Sequence, residues 1–90
     1  MLKIKITRSK LFDSTRHYAE EGRGVTPVIV NDDDLIGWAM WAIGEACGIA
    51  QDEPLFIGPS QEPGYYTVTL DDKYVDEFID NFSQGGQDAK

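Results

Sequence analysis

Ninety residues, 41% of them apolar and 27% charged, are enough for one globular domain and too apolar for a disordered chain. Sixteen acidic residues against eight basic ones leave a net charge of −8, which disfavours direct binding of nucleic acid because its phosphates are repelled. The single cysteine, Cys47, excludes an internal disulfide.

Leu2, Ile4 and Ile6 alternate with Lys3, Lys5 and Thr7, and this period of two predicts a half-buried strand over 2–7. The lysines on its other side suit an edge strand. Residues 13–22 read as a short helix or a loop with one helical turn, with Asp13 or Ser14 at its start and Gly22 at its end. Val25-Thr26-Pro27-Val28-Ile29-Val30 is β-branched and predicts a second strand over 25–30, with Pro27 near its start or on a free edge.

Asn31-Asp32-Asp33-Asp34 opens a helix expected over 32–48, because short polar side chains accept the free amides of a first turn and negative charge suits the positive end of the helix dipole. This helix is apolar nearly all round. Gly37, Gly44 and Gly48 share one face with Trp41, which predicts another backbone in close approach there. Strands are expected over 54–58 and 65–70, joined by the turn-forming segment 58–64. A last helix over 72–83 places Val75, Phe78, Ile79 and Phe82 on one apolar stripe. The fold class expected is α+β, with four mainly antiparallel strands and two helices, in one domain over 1–84 followed by a flexible tail over 85–90.

No residue set meets a catalytic or metal-binding signature, so neither an enzyme nor a cofactor is expected. Three consecutive aspartates lack the alternate spacing, the glycine and the distal glutamate of a calcium loop, and helix capping explains them. His17, with Asp13 and Glu21 four residues to either side, reads as a solvated ion pair rather than a general base. Cys47 lies in an apolar stretch and reads as a core residue. The N-terminus has no signal-peptide apolar core and no apolar run is long enough to cross a bilayer, so the expectation is no membrane contact and a cytoplasmic location.

Charge is divided unevenly along the chain. Residues 1–23 hold six bases and three acids, whereas residues 24–90 hold two bases and thirteen acids. In the last helix Asp72, Asp76 and Asp80 recur every four residues with Glu77 beside them, a rise of about 6 Å per step in an α-helix. Successive phosphates of a nucleic-acid strand are spaced on a similar scale. Like charges at this spacing cost roughly 0.2–0.5 kcal/mol per pair, and only Lys73 offsets them. The expected site is therefore a partner-binding surface of Asp72, Asp76, Glu77 and Asp80, with Asp71 and Asp32, Asp33 and Asp34 adding to the field. Its partner is a basic protein surface, such as that of a nucleic-acid-binding complex.

In size, acidity and lack of catalytic motifs the chain resembles the small one-domain inhibitors that phages make against host defence, including anti-CRISPR proteins. That resemblance implies an inhibitor or nucleic-acid mimic, and it assigns no residue a role. The alternative is a protein–protein adaptor or small homodimer that uses the glycine-faced, tryptophan-bearing helix or a free strand edge as its interface.

Overall fold

The computed structural model describes residues 1–83; the expected 85–90 tail lies outside them. β1 (Leu2–Thr7) passes directly into α1 (Arg8–His17), which continues as a π turn over Tyr18–Gly22. After an extended connection comes α2 (Asp32–Cys47), then β2 (Leu55–Pro59) and β3 (Tyr65–Leu70). The last helix begins with a 3-10 turn (Asp72–Tyr74), becomes α-helical as α3 (Val75–Phe78) and widens into a π turn (Ile79–Ser83).

The three strands form one antiparallel sheet in the order β1-β3-β2. Its cross-strand rows explain the alternation in the sequence. Ile4, Val68 and Ile57 lie side by side, as do Leu2, Leu70 and Leu55, and these rows face the helices. Lys3, Thr69 and Phe56 form a row on the opposite face, which no helix among the described residues covers. Between sheet and helices the core gathers Ile6, Leu11, Leu35, Ile43, Val68 and Phe78, all buried. The α+β class holds, with three strands rather than four and three helical stretches rather than two among the described residues.

The strand expected over 25–30 does not form. Its amides serve helix ends instead: Val25 N donates to Ala19 O at 2.8 Å, and Val30 N donates to Asp34 Oδ2 at 3.0 Å. Val28 and Val30 are 69% and 80% exposed, and only Ile29 of the later valine-isoleucine run packs on the core. The first helix begins at Arg8 rather than near Asp13, because Thr7 Oγ1 accepts the Lys10 amide at 3.1 Å and caps it. Leu11, Thr15 and Ala19, spaced at four, form its buried side. The helix expected over 32–48 ends at Cys47. Gly48 terminates it in the left-handed region at φ 71°. The hairpin strand expected over 54–58 runs over 55–59.

Candidate functional site

The C-terminal helix is anchored through its aromatic residues. Phe78 and Phe82 are fully buried and stack with centroids 5.6 Å apart, and Ser14 of α1 donates to Phe82 O at 3.1 Å. Ile79, expected on the same stripe, is 38% exposed. Over 72–83 the backbone bonding changes from 3-10 to α to π, so the carboxylates do not follow the even α-helical spacing expected of them.

Asp71 is a cap: its Oδ1 accepts the Lys73 amide at 3.0 Å and its carbonyl accepts the Tyr74 amide. Asp72 lies 3.4 Å from the N-terminal ammonium of Met1, so it does not stand bare. Lys73, the base expected to offset the acidic row, turns away and meets Glu53 at 2.8 Å. Asp76, Glu77 and Asp80 are exposed and make no ion pair among the described residues. Glu77 lies close enough to the end of α2 that its charge, after burial, helps to push the Cys47 thiol up to about 11.

The Asp32–Asp34 cluster is at the other end of α2, about 24 Å away along a helix of sixteen residues. Most of it is occupied with structure. Asn31 Oδ1 accepts the Asp34 amide at 2.9 Å while Asp34 reaches back to Val30. Asp32 Oδ1 takes Nη2 of Arg8 at 2.9 Å and its Nε at 3.0 Å, joining the start of α1 to the start of α2. The nearly buried phenol of Tyr66 stands beside this pair; burial first, and then Asp32, push its pKa upward. Asp33 is exposed. The eight expected acidic residues therefore do not form one surface. Asp76, Glu77 and Asp80 remain as an exposed group, Asp32 and Asp72 are ion-paired, and Asp34 and Asp71 cap helices.

The glycine face of α2 is not packed by the described residues of this chain. A Cβ added at Gly37, Gly44 or Gly48 meets nothing within 4 Å, so among the described residues no backbone packs there. The face is open and flanked by an aromatic cluster in which Trp41 meets Trp38 edge-on at 5.5 Å and Tyr18 at 5.6 Å. The spacing in the sequence is the same whether this chain covers the face or leaves it bare. His17 is exposed and forms no ion pair with Asp13 or Glu21; the pair made in that region is Arg16–Glu20 at 3.2 Å. Cys47 is buried and unpaired. Among the described residues, no three His, Cys, Asp or Glu side chains are grouped to hold a metal ion, and no helix is long and apolar enough to cross a membrane.

Comparisons with protein-family models, with curated proteins and with solved structures give no match to this chain.

Proposed function

We propose that this protein is an acidic binding module that acts by docking its C-terminal helix on a basic surface of a nucleic-acid-handling protein, as an inhibitor or phosphate mimic. The observation that carries this reading is the ion pair between Lys73 and Glu53. It removes the helix's own base from the acidic side chains and leaves Asp76, Glu77 and Asp80 exposed to solvent. Phe78, between Glu77 and Asp80, and Phe82, just beyond Asp80, are buried and hold the backbone that carries these residues, so the carboxylates are presented on an anchored element. Their repulsion is relieved when a cationic partner approaches, and the net charge of −8 speeds that approach. Asp32, Asp33 and Asp34 contribute to the long-range field and not to the contact. The reading needs no catalytic step by this chain.

The test is capture of host or phage proteins from lysate by the immobilised full chain at low and at high salt, beside an Asp76→Lys/Asp80→Lys chain whose circular dichroism matches the original. A partner that is basic, released by salt and lost in the variant is expected. Equal capture by the variant rejects the acidic helix as the contact.

A further inference from the structure

Among the described residues no strand lies against the outer edge of β2. The hydrogen-bonding phase of that edge follows from Ser60, whose amide donates to Tyr65 O at 2.9 Å. This pair continues the β2–β3 register, so Phe56 and Gly58 bond inward to β3, while Leu55 and Ile57 turn their N–H and C=O groups outward. Pro59 offers an outward carbonyl and no N–H. The side chains alternate as well. Leu55 and Ile57 pack toward the core, while Phe56, 62% exposed, stands with Gly58 on the uncovered face.

We propose that this edge is a homodimer interface, in which a second copy of the chain lays its own β2 antiparallel to the first with Ile57 on the two-fold axis. The two sheets become one of six strands. The Ile57 residues exchange both of their amide bonds, and each Leu55 N–H reaches the Pro59 carbonyl of the other copy. The donor that proline lacks falls at the two ends of this short ladder. Phe56 lies opposite Gly58 of the other copy, where a Cβ would meet nothing within 4 Å, so the ring covers open backbone. On the helical side, α2 packs beneath β2 and is the helix nearest the axis. A groove lined by Met40, Gly44, Gly48, Ile49 and Leu55 runs between them, and the open glycine face leaves the second α2 room to approach.

Charge and phase choose this edge and this occupant. Among the described residues β1 also has a free edge, but centring it on a second β1 at residue 3, 4 or 5 sets lysine against lysine. β2 carries no charged residue. A mixed antiparallel contact of β1 with β2 is out of phase. The bond from Arg8 N to Gly64 O shows that the outward amides of β1 belong to residues on the uncovered face, whereas those of β2 belong to residues facing the core. The contact therefore closes as a pair and does not grow into a filament.

Sedimentation equilibrium on the full chain tests this. The mass is expected to rise with concentration from 10.1 kDa toward twice that value. More salt strengthens the association, because each copy carries −8; this is opposite in sign to the acidic docking proposed above, so the two readings fail separately. Phe56→Lys, a change on an exposed side chain, is expected to hold the mass at one chain with its circular dichroism unchanged. Phe56→Cys/Gly58→Cys is expected to yield a disulfide-linked dimer on mild oxidation. A mass that stays at one chain at the highest attainable concentration, a Phe56→Lys chain that still doubles, or a double-cysteine chain that does not link overturns the proposal. So does an edge that binds a strand-forming peptide while the protein alone remains single.

Discussion

Lys73 Nζ lies 2.8 Å from Glu53 Oε2, tying the start of the C-terminal helix to the loop that precedes β2. Tyr74 donates its hydroxyl to the same carboxylate, and Ala50 donates its amide at 3.2 Å. One side chain thus gathers an ammonium, a phenol and a backbone N–H from two separate parts of the chain, and it determines which way the helix's base points.

These donors lower the Glu53 pKa from 4.5 to about 2, with Lys73 the largest cause, then Tyr74, then the Ala50 amide. A folded-state value below the unfolded one means that the contribution to stability is fully present above about pH 4.5 and is lost as pH falls toward about 2. Urea midpoints measured across that window for the protein and for Glu53→Gln should converge as the solution is acidified. A constant gap between the two curves contradicts the assignment.

Burial, aided by Glu77, pushes the Cys47 thiol up to about 11, so very little reactive thiolate exists near neutrality. A disulfide-exchange reagent at pH 8 should label the native protein at least about a hundredfold more slowly than the urea-unfolded chain. Comparable rates would show that the end of α2 is open to solvent.

Gly37 within α2 and Gly48 just past its end should respond in opposite directions to the same change. Gly37 is exposed within the helix, with space for a methyl group, so Gly37→Ala should raise stability by about 0.8–1 kcal/mol. Gly48 has φ 71°, so Gly48→Ala should lower stability by about 1–2 kcal/mol. Denaturant midpoints measure both, and a loss at Gly37 would restore the covered face that its spacing suggested.

Thr15 is fully buried, and its hydroxyl has no hydrogen-bond partner among the described residues. Thr15→Val keeps the shape and removes the unsatisfied group, so it should raise stability by about 1 kcal/mol. An unchanged or lower midpoint would point to a hydrogen bond that the hydroxyl does make.

Where the sequence carried a clean period, its elements were readable: β1 from alternating leucine, isoleucine and lysine, β3 from its β-branched and aromatic run, and α2 from its asparagine-aspartate start. The 25–30 segment failed because β-propensity measures a fit to a sheet surface, and among the described residues these valines have no neighbouring strand to meet. The early start of α1 was hidden because Thr7 serves two elements, as the last residue of β1 and as the cap of the helix. For the acidic site, the sequence supplied the carboxylates but not their partners. Lys73 is twenty residues from Glu53, and Met1 is at the opposite end of the chain from Asp72. Such pairings depend on how the sheet closes, and no local spacing encodes them.

The position of β3 between β1 and β2 bears on how the molecule assembles. β2 and β3 are sequence neighbours and can meet as a hairpin, but β1 pairs with β3 at Leu2–Leu70 and Thr7–Tyr65. During synthesis β1 cannot meet its partner β3 until Tyr65–Leu70 has left the ribosome. Closing that distant pairing is the slow step expected of a chain with this topology, and until it closes the nascent protein shows isoleucine-rich edges to whatever chaperone is nearby.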